Sequence, residues 1–218
     1  MIRAVVFDFD GLILDTEVPV YEAWAHAFET YGCGPIPMDE WAKEIGTNGA
    51  LDLVAMMRAR ATKPFDEDEM HELRRIRREE LQALEEVRPG VVQWLDDADA
   101  HGLSLAIASS SPTDWVEYHL DLLGLRSRFQ FLACFGTDIA AKPEPDSYQA
   151  ACRALGVEPA EAIAVEDSPH GVTAAQRAGL RCIAVPNAIT AQLDLSHADV
   201  VVHSLAEFSL ADAHDYFS

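Results

Sequence analysis

Two aspartates and a glycine end the first apolar run of the chain, Ala4-Val5-Val6-Phe7-Asp8-Phe9-Asp10-Gly11. The run predicts a buried β-strand, and its carboxyl end is the edge at which open parallel sheets bind ligands. Two ionised carboxylates this close repel each other, and a divalent cation such as Mg²⁺, which prefers oxygen ligands, would remove that cost. Taken alone, the pattern also fits a strand-end turn in which aspartate caps the backbone.

Short apolar runs rich in β-branched residues recur along the chain, and helical stretches of roughly 10–15 residues lie between most of them. This alternation predicts an α/β fold in which a parallel sheet is doubly wound, with helices on both faces. The predicted strands are residues 4–9, 103–108, 131–135, 162–165, 182–185 and 200–202.

The alternation is interrupted between residues 16 and 86, where no strand is predicted. Prolines separate three helical stretches there, at 17–31, 39–60 and 66–86. We therefore predict a core domain formed by residues 1–15 and 87–218, with an all-helical cap domain, 16–86, inserted into it.

Charge excludes several classes of partner. Of 218 residues, 16 are Lys or Arg and 37 are Asp or Glu, which gives a net charge of −21. A field of this sign repels nucleic acid and anionic membranes, and a phosphorylated metabolite would need a local cation or metal to bind. The four cysteines show no CxxC pair, and we expect reduced, mostly buried thiols. No signal-peptide or membrane-span pattern is present, so we expect a cytoplasmic protein, with a monomer favoured over a dimer.

The motif Asp-Phe-Asp-Gly-Leu-Ile-Leu-Asp-Thr-Glu, residues 8–17, resembles the signature of haloacid dehalogenase-like hydrolases. It is most similar to the branch with a helical cap inserted after this motif, which includes β-phosphoglucomutase and many sugar-phosphate phosphatases. The helical stretch 16–86 lies where that branch carries its cap. The resemblance therefore covers the whole chain and implies a Rossmann-like core.

The resemblance implies a role for each aspartate. Asp8 would be the nucleophile that forms an aspartyl-phosphate, and Asp10 would be the general acid and base. Mg²⁺ would be the cofactor, bound by the side chain of Asp8 and the backbone carbonyl of Asp10. Dehalogenation is disfavoured, because dehalogenases of this superfamily lack the second aspartate.

Three further motifs follow predicted strands and resemble the remaining motifs of the family. In Ser109-Ser110-Ser111-Pro112, Ser109 and the amide of Ser110 would bind phosphate, although such a cluster is also a common helix cap. Lys142, the one lysine outside the predicted cap, would bridge the nucleophile and the phosphoryl group. Asp167 would be a direct metal ligand and Glu166 a direct or water-mediated one. We expect no catalytic role for His170.

The predicted cap should select the substrate. The mutase has a histidine where this chain has Val20, and an arginine where it offers Asn48 and Gly49. Because a mutase must hold a second phosphate, hydrolysis is favoured. Thr47 and Asn48 could contact the substrate or belong to a simple loop.

The stretch Arg74-Arg75-Ile76-Arg77-Arg78 is the one basic cluster of the predicted cap. Ion pairs with Glu79 and Glu80 on an exposed helix face are the favoured interpretation, and contact with an anionic part of the substrate is the alternative.

We therefore expect a Mg²⁺-dependent phosphatase acting on a small phosphorylated metabolite, either a sugar phosphate or a nucleoside-type monophosphate. The alternatives are a mutase resembling β-phosphoglucomutase and, from a different class, a non-catalytic sensor that binds a phosphorylated ligand.

Overall fold

A six-stranded parallel sheet forms the centre of the molecule in the computed structural model, which describes residues 2–41, 52–84 and 86–217. The strands are β1 (Ala4–Phe7), β2 (Ser104–Pro112), β3 (Phe131–Phe135), β4 (Ala162–Glu166), β5 (Arg181–Ala184) and β6 (Val200–Val201). Their order is β3-β2-β1-β4-β5-β6, and every pair is parallel. The prediction of a doubly wound parallel sheet is therefore confirmed, and the order reverses between β1 and β4, where such folds bind ligands.

Helices cover both faces of the sheet. The helices that follow residue 90 are α5 (Val91–Ala100), α6 (Thr113–Leu122), α7 (Asp146–Leu155), α8 (Pro169–Ala178) and α9 (Leu210–Phe217). Helices α5, α6 and α9 pack on the face that carries Val5 and Phe7, where α5 contributes the large side chain of Trp94. Helices α7 and α8 pack on the opposite face, which is rich in alanine. Because successive strand residues point to opposite faces, the apolar strands supply both cores.

Among the described residues before residue 83, the chain forms four helices: α1 (Glu17–Thr30), α2 (Met38–Trp41), α3 (Leu53–Arg60) and α4 (Glu67–Gln82). They surround a third apolar cluster that includes Phe28, Met57 and Met70, and we call them the cap helices. Helices α3 and α4 begin at aspartate caps, since Asp52 accepts from the amide of Ala55 and Asp66 from that of Glu69.

Element bounds differ from the predicted ones in several places; strand β2, for example, extends to Pro112 instead of ending at Ala108. The predicted helix 39–60 is α2 and α3, because the Asp52 side chain starts a new helix, and residues 42–51 lie outside the described residues. The predicted helix 66–86 ends at Gln82, and Val87 already pairs with Leu14. Strand β1 ends at Phe7 instead of Phe9, because the amide of Ile13 donates to the Phe9 carbonyl and turns the chain there.

The four cysteines are free and buried, as predicted. Within the part of the chain that the structure describes, no helix is both long and apolar enough to cross a membrane.

Candidate active site

The carboxyl ends of β1, β2 and β4 bring most of the predicted site residues to one edge of the sheet. Asp8 follows β1, Ser109 lies in β2, and Glu166 ends β4. The Asp8 amide donates to the carbonyl of Val165 at 2.9 Å, which holds the first aspartate beside the end of β4. Register alone explains this convergence, because Phe7 lies opposite both Ile107 and Val165.

Lys142, in the loop after β3, joins the two acidic motifs. Its ammonium group is buried, forms an ion pair with Asp8 Oδ1, and lies 2.5 Å from Glu166 Oε1. Burial alone would lower the pKa of Lys142, but the charges of Asp8 and Glu166 outweigh it and raise that pKa, so the side chain stays cationic. The amide of Lys142 donates to Ser110 Oγ at 3.0 Å, so the Ser110 hydroxyl fixes the backbone of this loop.

Protein donors surround the carboxylate of Glu166, which is fully buried. Oxygen Oε1 accepts from Lys142 and from the hydroxyl of Tyr148 at 2.6 Å. Oxygen Oε2 accepts from the Asp167 amide at 3.1 Å and from Ser168 Oγ at 3.4 Å. Both oxygens are therefore already hydrogen-bonded, an arrangement that suits a residue that orients Lys142.

Three buried carboxylates, on Asp8, Glu166 and Asp167, offer oxygen atoms within 4.8 Å of one another. Burial raises the pKa of Asp8 and of Asp167, and their neighbouring carboxylates raise both further, against the opposing effect of Lys142. One ammonium group does not balance three carboxylates. An all-oxygen set with excess negative charge fits a hard divalent cation such as Mg²⁺.

Asp8 and Asp167 each keep one oxygen without a hydrogen-bond donor among the described residues. Oxygen Oδ2 of Asp167 accepts from Asn187 Nδ2 at 2.8 Å. These two free oxygens make Asp8 and Asp167 the residues that could hold a metal with their side chains.

The Asp10 carboxylate accepts four hydrogen bonds. Oxygen Oδ1 accepts from Thr16 Oγ1 at 2.9 Å and from Trp115 Nε1 at 3.0 Å. Oxygen Oδ2 accepts from Ser111 Oγ at 2.7 Å and, more weakly, from Ser109 Oγ at 3.4 Å. The second aspartate is thus held next to the site by the residue that precedes α1 and by residues from β2 and α6.

Sequence reasoning missed several of these partners. None of Trp115, Tyr148, Arg88 and Asn187 belongs to a predicted motif. Trp115 and Tyr148 follow the serine and lysine motifs by a few residues, and Asn187 closely follows β5 at the same sheet edge. Arg88 donates to the carbonyls of Gly11 and Pro186 and so fixes the turn after Asp10. Gly11 has a φ of 83°, and a Cβ there would collide with the Asp167 carboxylate.

A cavity of about 550 Å³ lies between this edge and the cap helices. Asp8, Asp10, Ser109, Ser110, Lys142 and Asp167 line it on the sheet side. The cap helices contribute Val20, Trp24, Trp41, Leu53, Arg78 and Gln82. The predicted contacts Thr47 and Asn48 lie outside the described residues. His170 does not line the cavity.

The basic cluster of α4 requires a correction. Arg75 forms ion pairs with Glu72 and Glu79, and Arg77 forms one with Glu80, as the interpretation of an exposed face requires. That interpretation is wrong for Arg78, which lines the cavity. The reason is the helical period: two of the four arginines project from α4 on the side facing α1.

Comparisons with known proteins agree with this geometry. The model of the haloacid dehalogenase-like hydrolase family matches residues 5–185. YhcW of Bacillus subtilis, a protein named provisionally as a phosphatase, is 39% identical over 218 residues, covering 100% of this chain and 99% of YhcW. Hexitol phosphatase B of Escherichia coli is 31% identical over 217 residues, covering 97% and 96% of the two chains.

The crystal structure of CbbY from Rhodobacter sphaeroides in complex with phosphate superimposes with a TM-score of 0.74. It shares 31% sequence identity, and the match covers 97% of this chain and 99% of CbbY. The chain therefore belongs to the haloacid dehalogenase-like hydrolase family.

Proposed function

We propose that this protein is a Mg²⁺-dependent phosphatase that hydrolyses a small phosphorylated metabolite through an aspartyl-phosphate on Asp8. The observation that carries the proposal is the buried Asp8–Lys142 ion pair, which lines a cavity together with Asp10 and Asp167. This arrangement brings together a nucleophile, Asp8, a group that can donate and accept a proton, Asp10, and a cation for the phosphoryl oxygens, Lys142.

Asp8 attacks phosphorus with a carboxylate oxygen, and the bond from phosphorus to the ester oxygen breaks. Asp10 donates a proton to the departing oxygen, and the alcohol leaves. Asp10 then takes a proton from water, whose oxygen attacks phosphorus and releases Asp8 and inorganic phosphate. Lys142 and the Ser109 hydroxyl bind the oxygens of the phosphoryl group throughout.

A bound Mg²⁺ would offset the electrostatic repulsion between the Asp8 carboxylate and the substrate phosphate. Asp8 and Asp167 would hold it through their free oxygens, with the Asp10 backbone carbonyl as a third ligand. Glu166 is assigned to orienting Lys142, because protein donors already occupy both of its oxygens. In this proposal Thr47, Asn48 and the Ser110 amide contribute contacts to the substrate.

Hydrolysis is proposed in preference to phosphoryl transfer within a sugar. Val20 lines the cavity at the position where the mutase signature has histidine, and an aliphatic side chain neither moves protons nor binds phosphate. The names of YhcW and of hexitol phosphatase B point to phosphatases. A sugar phosphate or a nucleoside-type monophosphate is the proposed substrate class, in a cytoplasmic setting and without a nucleic-acid or membrane partner.

The experiment is phosphate release from a panel of sugar phosphates and nucleoside monophosphates, in Mg²⁺ or in EDTA. Wild type is compared with Asp8→Asn and with Asp138→Asn, a control at an exposed aspartate outside the cavity. Release that needs Mg²⁺, survives Asp138→Asn and is lost in Asp8→Asn supports the proposal. Conversion of glucose 1-phosphate to glucose 6-phosphate without release would favour the mutase, and thermal stabilisation by phosphate compounds without turnover would favour the sensor.

A further inference from the structure

The four arginines of α4 form two different pairs. Arg75 and Arg77 each form ion pairs with glutamates one turn away on the same helix. Arg74 and Arg78 face the other way, and neither has a carboxylate partner within the part of the chain that the structure describes. In a chain with 37 acidic residues against 16 basic ones, two arginines one helical turn apart that lack an acidic partner among the described residues would be stabilised by an anionic ligand.

The same two guanidinium groups are also close to each other. Arg74 stacks on the ring of Trp24 at 4.5 Å, which fixes it between α4 and α1. Burial lowers the pKa of Arg74, and the charge of Arg78 lowers it further. Like charges one helical turn apart destabilise a helix. An anion bound between α4 and the sheet edge would relieve this repulsion.

Arg78 also differs from the other cation of the cavity. Among the described residues, Lys142 and Arg78 are the two lysine or arginine side chains that line it. Asp8 and Glu166 neutralise Lys142, whereas no described residue forms an ion pair with Arg78. The positive charge opposite the catalytic edge is therefore available to a ligand.

The polar groups around Arg78 are donors without acceptors. Trp41 Nε1, Arg78 Nε and Gln82 Nε2 are buried atoms without a hydrogen-bond partner in the described structure, and all three side chains line the cavity. A buried donor that lacks an acceptor is costly, so native structures rarely leave several together. Three N–H groups and a guanidinium charge match a ligand group that only accepts hydrogen bonds and carries negative charge.

We infer that Arg78, with Trp41 and Gln82, binds a second oxyanion of the substrate, a carboxylate or a second phosphate, at the end away from the scissile phosphoryl group. The inference rests on the proposed phosphatase function and narrows its substrate class to phosphate monoesters that carry another anionic group. The scissile phosphoryl group binds at Asp8 and Lys142, and the second oxyanion binds at the wall formed by the cap helices. Arg78 then acts as a specificity residue.

The test uses two pairs of substrates that differ in one anionic group. Fructose 1,6-bisphosphate is compared with fructose 6-phosphate, and 6-phosphogluconate with glucose 6-phosphate. The quantity measured is the ratio of kcat/KM for the more anionic member to that for the other, in Mg²⁺. Variants are Arg78→Gln, the conservative Arg78→Lys, and Arg77→Gln as a control on the exposed face of the same helix.

Wild type should prefer the more anionic member in at least one pair, and that pair identifies the second oxyanion as phosphate or carboxylate. Arg78→Gln should lower this ratio at least about tenfold, mainly through KM, because a charge-assisted hydrogen bond is lost. Arg78→Lys should keep an intermediate ratio, and Arg77→Gln the wild-type ratio.

Two results would overturn the inference: no preference in wild type for the more anionic member of either pair, or an unchanged ratio in Arg78→Gln. In both cases phosphate release still occurs and still depends on Asp8. They therefore differ from a failure of the proposed function, in which no compound releases phosphate. Thermal unfolding of Arg78→Gln separates binding from folding. Its melting temperature should equal or exceed that of wild type, because the substitution removes repulsion with Arg74.

Discussion

The hydroxyl of Tyr148 donates a 2.6 Å hydrogen bond to Glu166 Oε1, the same oxygen that accepts from the ammonium group of Lys142. Tyr148 lies on α7, and its side chain is fully buried. Burial raises the pKa of this hydroxyl, and the adjacent Glu166 charge raises it further, so Tyr148 remains a donor. A helix on one face of the sheet thereby contacts the carboxylate that accepts from Lys142.

Replacing Tyr148 with phenylalanine should lower kcat more than it changes KM, because Lys142 loses part of its fixed orientation. It should also destabilise the fold by about 1–3 kcal/mol, the range for leaving a buried acceptor with one donor fewer. Urea unfolding and steady-state phosphate release measure the two effects. Tyr118→Phe, at an exposed tyrosine, is the control and should stay within about 0.5 kcal/mol of wild type. Equal behaviour of the two variants would contradict a role for the Tyr148 hydroxyl.

Gly171 on α8 leaves room for the Glu166 carboxylate, and a Cβ at this position would overlap with it. Gly171→Ala should therefore reduce both stability and phosphate release, although alanine favours a helix more than glycine does. Gly136→Ala is the matched control, because a Cβ there meets nothing within 4 Å. Circular-dichroism melting and phosphate release compare the two. An unimpaired Gly171→Ala variant would show that the position of Glu166 is not critical.

Lys142→Arg should retain the charge but lose at least about a hundredfold in kcat, because a planar guanidinium does not fit the buried space between Asp8 and Glu166. Lys142→Met should in addition destabilise the fold by about 3–5 kcal/mol, since it leaves buried carboxylates without their cation. Lys63→Arg, at an exposed lysine between α3 and α4, should match wild type in kcat and in stability. Near wild-type turnover by Lys142→Arg would mean that any cation suffices.

Metal-free stability should depend on pH through Asp167. Burial and the charges of Asp8 and Glu166 raise its pKa above the usual 3.8, so the folded state binds this proton more tightly than the unfolded state does. The stabilising contribution of the protonated carboxyl is therefore present at low pH. This contribution is lost as the pH rises from about 3.8, the usual pKa, through the higher pKa of Asp167 in the folded state.

The Asp167→Asn variant has no titratable group at this position. In EDTA, its melting temperature minus that of wild type should therefore increase as the pH rises from about 5 to about 8. Mg²⁺ should raise the melting temperature of wild type at neutral pH and leave that of Asp167→Asn nearly unchanged. Differential scanning fluorimetry measures both. A constant difference across pH, together with an equal response to Mg²⁺, would contradict a metal site at Asp167.

Much of the sheet edge was predictable because its parts are local in sequence. Asp8, Ser109 and the pair Glu166 and Asp167 each belong to an apolar run or directly follow one, and parallel strands bring their carboxyl ends together. Lys142 was identifiable only through the resemblance of its motif, since no periodicity places the loop after β3 near β1.

Partners brought in by tertiary packing were not predictable. Trp115 contributes its indole N–H to Asp10, and Tyr148 its hydroxyl to Glu166, from helices whose patterns indicate only an apolar face. Arg78 illustrates the same limit, because helical spacing allows ion pairs for every arginine of the α4 cluster. Which of them faces the cavity depends on how α4 packs on α1.

Acid-quench mass spectrometry tests whether the phosphoryl group is transferred to Asp8. Enzyme, Mg²⁺ and a substrate that releases phosphate are mixed, quenched in acid within one turnover, and digested. We expect a transient phosphorylated peptide that contains Asp8, with the phosphate on that residue, and no such peptide from Asp8→Asn. Phosphate release from wild type with no phosphorylated peptide at any quench time, or with the phosphate on another residue, would contradict transfer to Asp8.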